Sequence, residues 1–273
     1  MADFTAHNTT APAGLTIFFF LPMSAKPANF CLTENPVWVM ILALSIYQKL
    51  WDEAMAAFAK GAVQLDPNLT NKKEDLRRGI SIAIRPSAPV RRQVQQFTDQ
   101  LTKICPDQYY YQPEELHVTM ISLVSGSISW RQEMCHLLAY RAIVRDVLRR
   151  QSAFKISFQG VTASTAAVMV QGFPEHDALN QIREAIREAF LKNGFGGALD
   201  RRYKISTAHM TVLRFQYPLS NWQKLVTLLQ ENRATSFGEA EVRRAELVWG
   251  DWYASAKTIR KLEEYQLGST SRA

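Results

Sequence analysis

The stretch "EELHVTMISLV", residues 114–124, alternates between apolar and other side chains as a β-strand does. Leu116, Val118 and Met120 fall on one face of this strand, and His117 and Thr119 fall on the other. A single histidine beside a threonine on an apolar strand is more often structural than functional. The pair becomes informative only if a second copy stands in an equivalent place.

A second copy stands in "AHMTV", residues 208–212, where His209 and Thr211 share one strand face. The order strand, helix, strand, helix is predicted around 79–150 and again around 166–232. Each His-x-Thr pattern follows a predicted helix in its half of the chain. We infer a duplication from this order of elements, because the halves share no obvious residue-level repeat. If the two lobes face each other, two imidazoles and two hydroxyls converge on one cleft.

This set of side chains suits phosphodiester chemistry. A neutral histidine can take a proton from an attacking water, and a protonated one can give a proton to the departing oxygen. The hydroxyls of Thr119 and Thr211 can donate hydrogen bonds to the non-bridging phosphate oxygens. The pattern does not say whether His117 or His209 is the base. No cluster of His, Asp and Glu has the spacing of metal ligands, so neither a metal nor another cofactor is expected.

The two motifs resemble those of the two-histidine (2H) phosphoesterase superfamily, in the branch of RNA 2′,3′-cyclic phosphodiesterases and 2′-5′ RNA ligase-like proteins. The resemblance is carried by His117-Val118-Thr119-Met120 and His209-Met210-Thr211-Val212, and "QPEELHVTM" is similar to the family's approach to its first motif. It implies an α+β fold with two pseudo-symmetric lobes of antiparallel-rich sheet and outer helices around a central cleft. It also implies catalytic roles for both histidines and both threonines, and a 2′-phosphate product.

The function expected from these residues is metal-independent opening of 2′,3′-cyclic phosphates or related small cyclic phosphodiesters. The substrate would be an RNA end or a small cyclic nucleotide. One alternative is 2′-5′ RNA ligation, which is the reverse chemistry on the same four side chains. A second is a non-catalytic nucleotide- or RNA-binding module, against which the intact histidines and threonines argue.

Three further residues are candidates for substrate binding. Arg214 follows the second motif, where many members of the superfamily carry a basic residue, but strand parity places it on the face opposite His209 unless a bulge intervenes. Tyr111, with its neighbours Tyr109 and Tyr110, could stack a base, although packing is the commoner role for such tyrosines. Arg202 lies in a basic, glycine-rich loop that could steer a polyanion or simply be exposed.

The chain divides into four predicted segments. Residues 1–43 are expected to be a loosely ordered extension, with a docked first helix or a targeting segment as alternatives, and 44–74 a leading helix and loop. Residues 75–267 are expected to form the bilobal domain, and 268–273 a tail. The apolar runs at 15–22 and 37–47 are too short to span a bilayer, so no stable membrane association is expected.

Composition sets broader limits on the environment and partners. The formal net charge of +7 favours polyanionic partners, including nucleic acid. The three cysteines are an odd number without CxxC spacing, which argues against a disulfide framework and a structural zinc site. A reducing, cytoplasmic compartment follows from this reading. The sequence does not determine the oligomeric state, and a monomer is the simplest expectation.

Three element predictions concern regions where the pattern is less regular. Residues 106–113 are predicted to be a connection, 131–150 one helix, and 239–250 one closing strand followed by another at 256–265.

Overall fold

The computed structural model describes residues 36–199 and 204–268 of the 273-residue chain. The predicted N-terminal extension therefore lies outside the described residues up to residue 35. The last eight positions of that predicted extension, residues 36–43, are described and form the beginning of the first helix.

Seven α-helices are described in these two ranges. They are α1 (Pro36–Phe58), α2 (Pro67–Thr70), α3 (Ala88–Ile104), α4 (Trp130–Met134), α5 (Leu137–Leu148), α6 (Ala178–Lys192) and α7 (Trp222–Glu231). A single 3₁₀ turn follows α6 at Gly196–Ala198.

Nine strands form two antiparallel sheets in the part of the chain that the structure describes. The strands are β1 (Arg78–Ile84), β2 (Tyr109–Tyr110), β3 (Val118–Ser127), β4 (Phe154–Ser164), β5 (Ala167–Pro174), β6 (Met210–Arg214), β7 (Ser236–Val242), β8 (Arg244–Gly250) and β9 (Arg260–Gln266). The first sheet has the order β3-β1-β8-β9, and the second has the order β2-β6-β5-β4-β7. The expected α+β fold with two antiparallel lobes is confirmed.

The two sheets repeat one local topology. In the first, β1 leads through α3 to β3, and β1 and β3 pair as antiparallel neighbours. In the second, β5 leads through α6 to β6, and those strands also pair antiparallel. The duplication inferred from element order is therefore present in the strand pairing, and it brings each His-x-Thr motif to the same place in its sheet.

Amphipathic helices cover the sheets with the apolar faces that the sequence predicts. On α3, Val90, Val94, Phe97 and Leu101 are buried, and Phe97 contacts the ring of Phe237 on β7 edge to face. On α6, Leu179, Ile182, Ile186 and Phe190 are buried. Helix α3 packs against β7 and β6, and α6 packs against β3 and α5. Helix α3 thus lies against the second sheet although β1 and β3 are in the first, and α6 lies against β3 of the first sheet although β5 and β6 are in the second.

Helix α1 packs against β4 and β5 through a polar as well as an apolar contact. The Tyr47 hydroxyl donates a hydrogen bond to the carbonyl of Gly172 (3.1 Å) and accepts one from its N–H (3.2 Å). Gly172 has no room for a side chain, because a Cβ there would lie 1.9 Å from the carbonyl oxygen of Ala208. This close approach seats the segment that leads into the second motif directly on β5.

Three of the element predictions need correction. Residues 236–250 form two strands, β7 and β8, which belong to different sheets and leave only Arg243 between them. The helix predicted over 131–150 is broken into α4 and α5 near Cys135 and His136. The connection at 106–113 contains the short strand β2, which pairs with β6. For the strands, pairing with partners remote in sequence decides the outcome, and local pattern does not indicate it.

Among the helices within residues 36–199 and 204–268, none combines the length and apolarity that crossing a bilayer requires.

Candidate active site

A cleft of about 120 Å³ holds both motifs. His117 and Thr119 line it from the start of β3, and His209 and Thr211 line it from the start of β6. Each histidine stands one residue before its strand begins, rather than inside the strand as the alternation suggests. The same cleft is lined by Ser81, Ser122, Ser125, Tyr111, Arg214 and Trp252.

The imidazole of His117 is oriented by the backbone. Its Nδ1 lies 2.7 Å from the carbonyl oxygen of Glu115, and since a carbonyl can only accept, Nδ1 carries the hydrogen. Nε2 is therefore the nitrogen available to a substrate. The Glu115 side chain is buried and accepts from the backbone N–H groups of Gln112 and Ala256, which fixes the turn that supplies this carbonyl.

The imidazole of His209 is held in the equivalent way by a side chain. Its Nδ1 lies 2.8 Å from Oγ1 of Thr207, which also stands two residues before the histidine. A hydroxyl can donate or accept, so this contact survives a change in the protonation of Nδ1. Sequence reasoning missed both Glu115 and Thr207. The signal available was their shared position two residues before each histidine.

Burial lowers the pKa of His117 and of His209 to about 4, because the imidazolium form loses hydration in the cleft. The Glu115 carbonyl opposes this effect at His117 by stabilising the charged ring. Positive charge on Arg183 and Arg214 lowers the pKa of His209 further, and Arg214 also acts on His117. Both imidazoles are consequently neutral at pH 7 in the free cleft. A bound anion between them would raise both pKa values.

Arg214 faces the cleft, contrary to the expectation from strand parity. In the pairing of β5 with β6, Val168 opposes Leu213 and Met169 opposes Thr211, so Val212 is an extra residue in the ladder. This bulge shifts the alternation by one and returns Arg214 to the face that carries Thr211. Strand parity points Arg214 away only in an unbroken ladder, and the bulge is the exception under which it lines the cleft.

The first motif carries the same irregularity. Thr119 opposes Ala83 and Ile121 opposes Ile82, so Met120 is the extra residue. The bulge places Ser122 in the cleft three residues after Thr119, as Arg214 stands three residues after Thr211. The two lobes therefore share a longer pattern, His-x-Thr-x-x-polar, with a hydroxyl in one lobe and a guanidinium in the other.

Tyr111, the residue that follows β2, contacts the Arg214 side chain. Its hydroxyl accepts a hydrogen bond from Nε of Arg214 at 2.9 Å. The side chain is 3% exposed, so little of the ring is free to stack a base. The structure thus brings Tyr111 to the predicted site in contact with another predicted residue. Arg202, the third candidate for substrate binding, lies outside the described residues.

A buried arginine that the sequence analysis did not select lies behind the cleft. Arg183 is on the apolar face of α6 and donates hydrogen bonds to backbone carbonyls next to both motifs. The signal for it was a cation four residues after Leu179, inside the apolar stripe. In the two described ranges, no group of three or more His, Cys, Asp or Glu side chains is arranged to hold a metal ion.

Comparison with models of known protein families assigns the chain to one of them. The family described as the AKAP7 2'5' RNA ligase-like domain matches residues 80–251, more than half of the chain. The chain belongs to this family. As an AKAP7 2'5' RNA ligase-like domain it falls in the 2H phosphoesterase superfamily, which confirms the resemblance drawn from its two motifs and supports a phosphoesterase type of activity.

One solved structure agrees with this domain assignment at the level of the fold, and a second is reported for its similarity alone. TT0787 of Thermus thermophilus is 19% identical, with a TM-score of 0.51, and the match covers 69% of this chain and 97% of that one. E. coli LigT complexed with 3'-AMP is 16% identical with a TM-score of 0.48, over 70% of this chain and 98% of that one. The comparison with curated protein sequences found no match.

Proposed function

We propose that this AKAP7 2'5' RNA ligase-like domain is a metal-independent phosphodiesterase that opens 2′,3′-cyclic phosphates or related small cyclic phosphodiesters. The observation that carries the proposal is the convergence of His117, Thr119, His209 and Thr211 on one cleft from two sheets. Family membership supports the phosphoesterase chemistry, and the four side chains supply an acid, a base and two hydrogen-bond donors.

The reaction needs two proton transfers. One histidine accepts a proton from water as the water oxygen forms a bond to phosphorus. The other histidine gives a proton to the ribose oxygen as its bond to phosphorus breaks. The products are a phosphate monoester and a free hydroxyl, and the two histidines have exchanged protonation states. Resemblance to the superfamily favours departure of the 3′ oxygen and a 2′-phosphate product.

Three groups would hold the phosphate during this reaction. The hydroxyls of Thr119 and Thr211 line the cleft beside their histidines and would donate to the non-bridging oxygens. The Arg214 guanidinium, oriented by Tyr111, would compensate negative charge on those oxygens. Because both histidines are neutral in the free cleft, the substrate's own negative charge would allow one of them to become the acid.

The test is a turnover screen with EDTA present. The substrates are an RNA oligonucleotide with a 2′,3′-cyclic phosphate end, a 2′,3′-cyclic mononucleotide and an ADP-ribose cyclic phosphate. We expect at least one to be opened at a rate that EDTA does not change. Loss of turnover on chelation, restored by a divalent cation, would contradict the mechanism. Absence of turnover on all three would contradict the proposed activity.

A second candidate is 2′-5′ RNA ligation, which the description of the matched family favours. It runs the same proton transfers in reverse, so the same residues would serve it. Incubating an RNA 2′,3′-cyclic phosphate end with a second RNA that has a free 5′-hydroxyl separates the two activities by product length. We propose hydrolysis as the main direction and a cytoplasmic location in keeping with the free thiols of Cys105 and Cys135.

A further inference from the structure

Arg183 occupies a place where an aliphatic side chain would be expected. It lies on the face of α6 that also buries Leu179, Ile182 and Ile186, and it is 1% exposed. Burying a guanidinium costs free energy unless its donors are hydrogen-bonded. A residue needed only to fill this space could be Leu or Met, so the contacts of the charged group require an explanation of their own.

The guanidinium binds the backbone of both motif segments. Nε donates to the carbonyl of Met120 at 2.7 Å, and Nη2 donates to the carbonyl of Thr119 at 3.2 Å. The same Nη2 donates to the carbonyl of Thr207 at 2.8 Å. Nη1 donates to Oδ1 of Asn180 at 3.0 Å, which fixes the guanidinium against its own helix.

These carbonyls belong to the residues that build the cleft. Thr119 supplies the hydroxyl of the first motif. Met120 is the extra residue of the bulge, and this bulge points the side chain of Ser122 toward the cleft. Thr207 holds Nδ1 of His209. One side chain therefore connects the start of β3 with the segment that orients the second histidine.

The sheet hydrogen bonds do not make this connection. Strand β3 pairs with β1 in the first sheet, and β6 pairs with β5 and β2 in the second. No ladder joins β3 to β6 among the described strands. The distance between the motifs must be set by other contacts, and the planar fork of an arginine, with five donors, can reach acceptors from two segments at once.

We propose that Arg183 is a positioning residue that sets the separation and relative orientation of the two His-x-Thr motifs by holding carbonyls of both. It would act through the backbone and not through the substrate. Its predicted effect on rate rests on the proposed phosphodiesterase function, but its effect on the geometry and titration of the histidines does not.

The charge of Arg183 provides a readout that is independent of activity. Arg183, Arg214 and His117 are the charged or titratable groups that lower the pKa of His209. The buried Tyr47 hydroxyl, whose pKa is influenced by Thr207 and Arg183, is the other titratable group nearby. The pKa of His117 is lowered instead by the positive charges of Arg85 and Arg214. Removing the charge at position 183 should therefore raise the pKa of His209 more than that of His117.

The experiment compares Arg183→Met, Arg183→Lys and a control, Arg187→Met, which removes a guanidinium paired with Glu184 one turn further along α6. Histidine titrations are followed by NMR, and turnover of a 2′,3′-cyclic mononucleotide is measured in parallel. Arg183→Met should raise the pKa of His209 and lower kcat by about 10²-fold, with KM changed less than about threefold. Arg183→Lys keeps the charge but not the fork, so the pKa of His209 should stay near that of the wild type while kcat still falls by about tenfold. The control Arg187→Met should match the wild type in the pKa of His209 and in kcat.

Several results would overturn the proposal. The first is a folded Arg183→Met variant with wild-type kcat. The second is a folded Arg183→Met variant in which the pKa of His209 is unchanged. A third is an effect confined to KM, which would indicate substrate contact. If Arg183→Met does not fold, Arg183→Lys carries the test, and failure of both to fold would assign the residue to stability alone. If the wild type opens no cyclic phosphate, the proposed function fails, and the ring NMR signals of His117 and His209 in Arg183→Lys decide the positioning role. This variant keeps the charge and loses the fork, so shifted ring signals of both histidines would support positioning, and unchanged signals would contradict it.

Discussion

Oγ1 of Thr207 lies 2.8 Å from Nδ1 of His209, and the relationship is matched in the other lobe by the carbonyl of Glu115 at 2.7 Å from Nδ1 of His117. In both motifs the partner stands two residues before the histidine and occupies the same ring nitrogen. Both imidazoles are therefore held from behind, and Nε2 is the nitrogen available in the cleft. The partners differ in one respect, because a carbonyl fixes the tautomer and a hydroxyl does not.

Replacing Thr207 with Val should separate orientation from binding. Val keeps the volume but removes the hydroxyl, so His209 loses the contact that fixes its ring. We expect kcat to fall by about tenfold, with a smaller change in KM, because a misoriented acid or base affects the chemical step. Thr207→Ser keeps the hydroxyl and should recover most of the rate. Equal losses in the two variants would show that the methyl group, and not the hydrogen bond, is what matters.

Replacing either histidine of the proposed active site should remove most of the activity. His117→Ala and His209→Ala are each expected to cost at least ~10²-fold in kcat, the usual scale for a positioned acid or base. Thr119→Ala and Thr211→Ala should cost less, because each removes one neutral hydrogen-bond donor. His176→Ala is the control, since that side chain is 74% exposed. A cyclic phosphate turned over normally by His117→Ala would rule out the two-histidine mechanism.

Removing the charge of Arg214 should weaken substrate binding and alter both titrations. Arg214→Gln is expected to raise KM by about tenfold or more, because a charge-assisted contact to phosphate is lost. It should also raise the pKa of His117 and of His209, since Arg214 lowers both. Tyr111→Phe removes the acceptor that orients Arg214 and should have a smaller effect of the same kind. Unchanged KM in Arg214→Gln would exclude a phosphate contact.

The pH profile should differ between the free protein and its substrate complex. Two histidines with ordinary pKa values would give a bell-shaped profile centred near neutrality. Burial lowers the pKa of both His117 and His209 to about 4. As pH rises above this value the acid loses its proton, so kcat/KM should be greatest at about pH 4–5 and then fall. Bound phosphate raises both pKa values, so kcat should peak at a higher pH. The two limbs of the pH profile report the coupled titration of both histidines, so neither limb is assigned to one of them. A kcat/KM that is flat between about pH 5 and 9 would contradict this division of labour.

Tyr47→Phe tests how firmly α1 is joined to the second sheet. The variant removes the hydroxyl that serves both the N–H and the carbonyl of Gly172 in a fully buried position. We expect the free energy of unfolding in urea to fall by about 1–2 kcal/mol, because buried backbone groups lose a partner. Tyr217→Phe, at a side chain that is 44% exposed, should change it by less than about 0.5 kcal/mol. Equal values for the two variants would show that the Tyr47 contact contributes nothing measurable.

The sequence by itself determined the local features of this protein. Alternation in residues 114–124 and 208–212 placed each histidine beside its threonine, and helical spacing identified the buried faces of α3 and α6. The order of elements indicated the duplication that the strand pairing confirms. These features depend on residues a few positions apart, and side-chain periodicity reports such distances directly.

Only the tertiary structure decided which further groups reach the cleft. The bulge at Val212 depends on the register of β6 against β5, and without it Arg214 would point away. The proposed role of Arg183 depends on carbonyls of Thr119, Met120 and Thr207, which come from two segments remote from it in sequence. Register and buried hydrogen bonding are settled by partners remote along the chain. The periodicity of a single segment therefore does not predict its register or its buried hydrogen bonds.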